Sequence, residues 1–469
     1  MRFLPLVLVG AMSLVSTATA AAQTPILTDP FNSPVSGQHK TVVEPDTFAS
    51  GPTIVAAAQI ARIFDGGAAG IGVATSTDNG ASWTSSTLPG ITTAAGGSYD
   101  RATDPSVAYD ARHNVWMVSS LALRDSSSGP SGVAVLTSRS TTGGLTWGNP
   151  VVTAAASRRQ DFDKNWITCD NTSTSPFYGS CYTQFDDFGS GNALKMYYSR
   201  DGGLTWTASK VPRVGVIGGQ PLVLPNGNVV VPLDNAFETA LGYTISTNGG
   251  AKFGTALSIT SISAAQDPGT IRAGALPSAE IAGGKIYVVW EDCRFRAQCS
   301  SNDLVYVTST NGTTWSAVQR IPIDPVSSTV DHLLPGVAVS GSGSVVSVTY
   351  YSFPVMNCGS SCALYVGHIS STNGGASWST PTQLAGPMTM SWLPDTSQGR
   401  MVGDYISSSF GSDNNAHPAY VVASAPASGV FDQALYSSAL SAGGGAVTAN
   451  EPVVFSGTAV HGSAPFKRH

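Results

Sequence analysis

The sequence has 469 residues, a formal net charge of −6 and only 11% charged residues. With 23 lysines and arginines it lacks the basic surface that nucleic-acid binding requires, so we expect no nucleic-acid partner. Its 51 glycines and 28 prolines, together with 42% hydrophobic residues, exclude a disordered chain and are typical of a β protein with many turns.

The amino terminus has the pattern of an export signal. Arg2 precedes an apolar stretch from Phe3 to Val15, and small residues around Ala20 offer a cleavage site. The stretch is too short to span a bilayer, and no later run of about 20 apolar residues follows, so we expect no membrane span. We therefore predict a signal peptide at 1–22 and a secreted or periplasmic protein.

The six cysteines lie in three close pairs. We predict disulfides between neighbours, because export places the chain in an oxidising compartment. No histidine stands at ligand spacing from any pair, which disfavours zinc, and we expect neither a metal nor a cofactor. The predicted bridges are Cys169–Cys181, Cys293–Cys299 and Cys358–Cys362.

An eight-residue pattern, S-x-D-x-G-x-x-W, recurs along the chain. The best copies are Ser76–Trp83 and Ser199–Trp206. Four weaker copies are Ser140–Trp147, Ser246–Phe253, Thr308–Trp315 and Ser371–Trp378. A period of about 60 residues, with strand-like runs before each copy, predicts one repetitive all-β domain. In each copy we expect glycine to supply a left-handed turn and the aromatic residue to pack between sheets.

This pattern resembles the Asp-box of the sialidase-like β-propellers, over nearly all of the chain after the signal peptide. The resemblance implies a single propeller at 41–445, between an extension at 23–40 and a tail at 446–469, both expected to be poorly ordered. Inner-strand starts number seven, so we prefer seven blades, with the six of ordinary sialidases as the alternative. In that family the boxes lie opposite the active site, so we expect them to be structural.

The resemblance also suggests site residues. Sialidases hold a carboxylate with an arginine cluster and use an aspartic acid as acid/base and a tyrosine nucleophile activated by a glutamate. Arg62 and Asp65 match the segment with an arginine and the acid. Glu280 and Arg294 match the segment with the activating glutamate and a second arginine. Tyr350, followed by a second tyrosine and a serine, is similar to the nucleophile motif.

Polar residues concentrate in the loops expected on the face opposite the boxes. In a chain with so few charges, this clustering favours a site at the propeller axis. It adds Asp404 as a catalytic candidate and Arg101, Lys164 and Arg400 as candidates for substrate binding. Because they share the same phase in their blades, four candidates are expected in one central pocket: Arg62, Asp65, Arg294 and Asp404.

We therefore expect a secreted, monomeric, sialidase-like glycoside hydrolase that acts on an acidic or terminal sugar. One alternative is a polysaccharide lyase on uronate-containing glycans, with its cation and base drawn from Lys164, Arg101, His332 and Tyr405. The other is a non-catalytic glycan- or protein-binding propeller, since the family's early Phe/Tyr-Arg-Ile-Pro motif is absent. A carbohydrate is the expected substrate or ligand.

Overall fold

The computed structural model describes residues 24–157 and 159–442, and the backbone of a short strand at 446–448. This part of the chain is all-β, with paired antiparallel strands and five single-turn 3₁₀ helices. The helices are Thr93–Ala95, Phe188–Ser190, Ala297–Cys299, Gly359–Ser361 and Met390–Trp392. Within these residues, no helix is long and apolar enough to cross a membrane. The predicted signal peptide and most of the predicted tail lie outside the described residues.

The first sheet contains eight strands in two four-stranded meanders. The first meander consists of β1 (Gly37–Ser50), β2 (Thr53–Ile63), β3 (Ala68–Ser76) and β4 (Thr84–Thr87). The second consists of β5 (Arg101–Asp110), β6 (Val115–Arg124), β7 (Ser131–Ser140) and β8 (Val151–Ala155). A single residue pair, Ala68 opposite Ala102, joins β3 to β5. Each meander has the strand order of a propeller blade.

Further sheets repeat this order along the chain. One sheet comprises β9 (Phe162–Cys169), β10 (Cys181–Asp187), β11 (Ala193–Ser199) and β12 (Thr207–Ala208). The next comprises β13 (Val216–Ile217), β14 (Leu222–Val223), β15 (Val229–Asn235), β16 (Ala240–Ser246) and β17 (Leu257–Ser261). The following sheet comprises β18 (Ser278–Ala282), β19 (Lys285–Asp292), β20 (Asp303–Ser309) and β21 (Gln319–Arg320).

The last third of the chain adds one large sheet and three small ones. The large sheet pairs β22 (Asp331–Val339), β23 (Val346–Phe353) and β24 (Ala363–Ser371) with β26 (Thr382–Thr389), while β25 (Ser377–Ser379) pairs with β32 (Ala446–Thr448). The others are the pair β27 (Asp395–Thr396) and β28 (Gly399–Arg400), and the sheet of β29 (Ser407–Phe410), β30 (Ala416–Ala427) and β31 (Val430–Tyr436).

Successive antiparallel meanders, with the last sheet packed against the first, make the fold a β-propeller. The contacts of β29, β30 and β31 with β1 close the ring. Five sheets have four or more strands, so the sheet assignment does not confirm the preferred count of seven blades. The core lies between neighbouring sheets, where β-branched and aromatic side chains such as Trp290 and Trp378 are fully buried.

Part of the segment expected as a poorly ordered extension at 23–40 is paired with strands: Ile26 and Leu27 lie against the last sheet, and β1 begins at Gly37. Ile26 N donates to Leu435 O at 2.8 Å, and Leu435 N donates to Leu27 O at 3.0 Å. Ile26 and Leu27 are also buried in the apolar cluster that contains Leu435. This burial explains the difference, because two apolar residues within a polar segment give it a place in the core.

The repeated S-x-D-x-G-x-x-W segments form the turns between third and fourth strands, as the pattern predicts. In the first, the Ser76 hydroxyl accepts from Gly80 N at 2.8 Å, and Asp78 Oδ1 accepts from Ser82 N at 2.9 Å. We call the six turns the repeat hairpins. The fifth begins at Ser309, one residue later than expected, and Asn311 rather than Thr310 accepts the turn hydrogen bonds.

The three predicted disulfides are confirmed: the bridges join Cys169 to Cys181, Cys293 to Cys299 and Cys358 to Cys362. The first ties the β9–β10 hairpin, where the two cysteines lie opposite each other. The other two close loops between second and third strands. Each bridge therefore stiffens one loop rather than linking separate sheets.

Candidate functional site

The site begins with a backbone feature that recurs where inner strands start. Glu44, Asp104, Lys164 and Leu334 adopt left-handed backbone conformations, with φ of 54°, 50°, 48° and 50°, and Gly218 has φ of 64°. Strand register shifts at all four of the non-glycine positions. Such bulges re-aim side chains, and non-glycine residues adopt this conformation only when their surroundings impose it.

Three of the bulge residues bring charge to the propeller axis, where Asp404 joins them. Lys164 Nζ donates to Asp404 Oδ2 at 2.8 Å and to Asp104 Oδ1 at 3.4 Å. Arg272 clamps the same carboxylate with two nitrogens, Nε to Oδ1 at 2.8 Å and Nη2 to Oδ2 at 2.6 Å. A paired donor fork of this kind is the geometry in which arginine binds carboxylates most strongly.

A second layer of hydrogen bonds surrounds these ions. Gln59 donates to Glu44 and to the Thr103 hydroxyl, and its carbonyl accepts from Arg62 Nη1 at 3.0 Å. We call Glu44, Arg62, Asp104, Lys164, Arg272 and Asp404 the axial cluster. Each of its members is at most 4% exposed. The cluster is therefore a buried set of three carboxyl groups and three cations.

Burial and the neighbouring charges shift the pKa values of these groups in different directions. It raises the pKa of Asp104 to about 8, although the Lys164 ammonium lowers it. Asp104 Oδ2 has no hydrogen-bond partner among the described residues. Burial alone would lower the pKa of Lys164, but the carboxylates of Asp404 and Asp104 outweigh it and raise that pKa. Burial, and then the charge of Arg272, lower the pKa of Arg62 to about 10.

A small pocket adjoins the cluster on the side of Lys164. Its volume is about 20 Å³, which is room for a single water molecule. Trp166 and Tyr405 form part of its wall, with ring centroids 5.1 Å apart in an edge-to-face arrangement. Gly218 and Leu276 also line it, and a Cβ on Gly218 would come within 2.7 Å of Leu276. Glycine at this position therefore allows Leu276 to pack against the backbone.

The structure brings together three of the residues chosen from sequence, namely Arg62, Lys164 and Asp404. Asp65 and Arg101 lie beside them as an ion pair in which Arg101 Nη1 is 2.5 Å from Asp65 Oδ1. The Asp65 side chain is 47% exposed, and this pair lowers its pKa although partial burial opposes the shift. An ionised, exposed carboxylate is suited to holding Arg101 and not to storing a proton.

Arg294 and Arg400 are held in their own loops. Arg294 follows β19, at the same face as Arg62, and donates to Asp292 through Nε at 2.8 Å and Nη2 at 2.7 Å. Arg400 Nη1 donates to Leu393 O at 2.9 Å. Both side chains therefore brace loops and do not take part in the axial cluster.

Glu280 and Tyr350 also lie apart from the axial cluster. Glu280 is on the inner strand β18, where burial, together with the charge of Asp46, raises its pKa to about 7. Tyr350 is buried between sheets, with its ring centroid 5.6 Å from that of His332. Of the four residues considered for a lyase, Lys164 and Tyr405 line the same pocket, with the ammonium group 5.5 Å from the ring centroid, whereas Arg101 pairs with Asp65 and His332 packs on Tyr350.

Sequence reasoning did not select Glu44, Asp104 or Arg272 for the site. A signal for the first two was present, because both precede proline at the start of an inner strand, as Leu334 does. Arg272 lies in the irregular segment before β18, whose backbone is paired with Arg400 by two hydrogen bonds. No repeat covers that segment, so its position at the axis is visible only in the structure.

A separate group of possible metal ligands lies away from the axis. Ligand atoms of Asp303, Asp324 and His332 are within 4.8 Å of one another. Arg296 Nη2 is 2.6 Å from both carboxylates, and Arg320 Nη2 is 2.7 Å and 2.8 Å from them. Two guanidinium groups thus balance the two carboxylates, which makes the group an ion-pair network.

Comparisons with known proteins give fold neighbours. No protein-family model matches the sequence, and no curated protein matches it. A Dyadobacter fermentans protein of unknown function has a TM-score of 0.49 at 16% identity, covering 75% of this chain and 99% of its own. The leech intramolecular trans-sialidase has a TM-score of 0.48 at 12% identity, covering 71% and 68%. The Ruminococcus gnavus intramolecular trans-sialidase gives 0.47 at 12%, covering 70% and 94%. Because the sequence identities and TM-scores are this low, the comparisons do not identify a function, and the function is argued from the axial cluster.

Proposed function

We propose that the protein is a glycoside hydrolase whose chemistry takes place at the axial cluster. One observation carries the proposal: Asp104 and Asp404 share the Lys164 ammonium group at the axis, and Asp404 is also bound by the Arg272 fork. The raised pKa of Asp104, about 8, keeps that group protonated at neutral pH, whereas Asp404 is a carboxylate held by Lys164 and Arg272. Most glycoside hydrolases use such a pair of unlike carboxyl groups.

The roles follow from the contacts. Asp104 would donate its proton to the leaving glycosidic oxygen as the bond to the anomeric carbon breaks, and a water molecule would then add to that carbon and return a proton to Asp104. Asp404 would stabilise the positive charge that develops on the sugar ring, and Lys164 and Arg272 fix its position. Trp166 and Tyr405 offer aromatic surface to the sugar beside the pocket. A sugar ring enters only if this wall moves, because the pocket has room for one water molecule.

The substrate we propose is an acidic or terminal sugar, as for a sialidase-like enzyme outside the cell. The geometry favours a neutral terminal sugar, since the fork of Arg272 is already engaged by Asp404. The disulfides are consistent with secretion. The repeat hairpins, with their shared hydrogen bonds, support their interpretation as Asp-boxes.

We also retain seven blades as a proposal. The eight-stranded sheet consists of two meanders that share one residue pair, so it counts as two blades. The sheet of β29, β30 and β31 is extended by the bridge between Leu27 and Leu435, which would give a last blade closed by the amino-terminal segment. Each of the remaining four large sheets counts as one blade, which brings the total to seven.

A second candidate function is a non-catalytic glycan- or protein-binding propeller. It is favoured by the internal pairing of the cluster, whose Lys164 and Arg272 both bind Asp404 beneath a pocket of about 20 Å³. In a binding protein, such a network would fill the centre of the propeller and hold the inner strands together. In that case the charges stabilise the fold and perform no chemistry.

The test is incubation of the full chain with fluorogenic neutral glycosides, sialosides and uronides, using wild type and Asp104→Asn. A hydrolase releases the fluorophore from at least one class, and Asp104→Asn slows release by about a hundredfold or more. Asp65→Asn is the matched control, because that carboxylate is paired and exposed. Absence of release from every substrate, or equal turnover in Asp104→Asn, would contradict the proposal.

A further inference from the structure

The second repeat hairpin, Ser140–Trp147, borders an open groove on the face opposite the axial cluster. It follows β7, which ends at Ser140, at the other end of the sheet from Asp104. The groove has a volume of about 410 Å³, and Arg139, Trp147 and Asn149 line it together with Thr141 and Thr146. An aromatic ring among hydroxyl, amide and guanidinium groups is the chemistry that recognises a sugar.

Arg139 and Trp147 each donate a hydrogen bond to a backbone carbonyl, and both side chains also line the groove. Arg139 Nε donates to Gly202 O at 2.6 Å, so the third repeat hairpin positions the guanidinium. Its terminal nitrogens make no hydrogen bond or ion pair with the part of the chain that the structure describes. Trp147 Nε1 donates to Gly144 O at 2.9 Å, and the indole packs on the apolar cluster beneath. Both groups are therefore placed before any ligand arrives.

The charge at this hairpin differs from that at the best copies of the repeat. Asp78 and Asp201 hold the turn with a carboxylate, whereas Thr142 does so here with its hydroxyl, which accepts from Thr146 N at 2.9 Å. Among the described residues that line the groove there is no carboxylate. The positive charge of Arg139 therefore faces a groove with no negative charge, in a chain whose net charge is −6.

We propose that this groove binds a sugar residue that carries an acidic group. The ring stacks on the open face of Trp147, the acidic group pairs with Arg139, and Asn149 and the threonine hydroxyls bind the sugar hydroxyls. A carboxylate and a sulfate share the chemistry that a guanidinium recognises. The site is separate from the axial cluster and does not depend on catalysis there.

Isothermal titration calorimetry of the full chain tests this, with a galacturonic acid trisaccharide, a 6-sulfated N-acetyllactosamine and neutral lactose as probes. Binding of the carboxylated probe, the sulfated probe or both, each tighter than lactose, supports the site and identifies the acidic group. Equal binding of all three probes, or no binding of either acidic probe, overturns it.

Variants separate this site from the axial cluster. Trp147→Ala should weaken binding of the acidic probe by about tenfold or more, as for other central aromatic residues. Arg139→Gln should abolish the preference over lactose. Trp83→Ala, at the equivalent position of the first hairpin, should bind as wild type does. If Trp147→Ala does not fold, Trp147→Leu serves instead. Unchanged affinity in both groove variants, or an equal loss in Trp83→Ala, contradicts the proposal.

Discussion

Replacing Asp404 with alanine removes the carboxylate that Arg272 and Lys164 share. Both cations are buried, at 3% and 4% exposure. In the variant they would therefore lie beside a cavity and lack one anionic partner. Removing one partner of a buried ion pair costs about 3–5 kcal/mol. For a chain of this length, that loss lowers the melting temperature by about 3–6 °C. Asp78→Ala, which removes a carboxylate from an exposed turn, is the control and should change it much less.

The same variant tests whether the site recognises a carboxylate specifically. Arg272 and Lys164 still form a cage of suitable shape in Asp404→Ala, so added acetate should bind and stabilise the fold. At about ten times its Kd, a ligand adds about 1.4 kcal/mol, which here raises the melting temperature by about 1–2 °C. Acetamide has the same shape without the charge and should have no effect. An equal response to acetate and acetamide in thermal melts would refute the reasoning.

Three further outcomes are expected. Trp378→Ala should lower the free energy of unfolding by about 3–5 kcal/mol in denaturant titrations, because this ring is 2% exposed, and Trp206→Ala should cost less because its ring is partly exposed. The raised pKa of Asp104 makes the folded state bind a proton more tightly than the unfolded state, so its contribution to stability is complete below about pH 4 and is lost as pH rises to about 8. Asp104→Asn should therefore flatten the pH dependence of the melting temperature across that range, and a parallel curve would contradict the assigned shift. Asp65→Asn should leave turnover within about twofold of wild type, and a loss as large as that of Asp104→Asn would identify Asp65 as the acid.

The sequence alone predicts much of the architecture. The spacing of the repeat determines where third and fourth strands meet, since glycine and the aromatic residue are required at fixed places in such a turn. The predicted position is wrong, by one residue, in the fifth hairpin, which begins at Ser309. There the turn is shorter and Asn311 takes the place of the acid. The amino-terminal segment was expected to be an extension because its polar composition hides the two apolar residues, Ile26 and Leu27, that pair with the last sheet.

The site is harder to predict, because the partner of an arginine depends on the path of its loop. Arg294 was chosen from the sequence and Arg272 was not, yet Arg294 folds back on Asp292 two residues away, whereas Arg272 reaches Asp404 across the axis. The bulges at Glu44 and Asp104 turn both side chains inward, and the sign of them in the sequence is the proline that follows each residue. Lys164 and Asp404 were selected because they belong to the polar residues of the loops expected on the face opposite the repeats, and that face contains the axial cluster.

The central claim is that Asp104 holds a proton at neutral pH beside Asp404, whose carboxyl group is bound by Lys164 and Arg272. Infrared difference spectroscopy of wild type against Asp104→Asn, titrated from acid to alkaline pH, measures this directly through the C=O stretch of a protonated carboxyl group. We expect a band that is present in wild type at pH 7, absent in the variant, and lost as the pH passes through about 8. A difference spectrum with no such band at pH 7 would contradict the account. So would a band that, as the pH rises, has already disappeared by about pH 5, as for an ordinary aspartic acid.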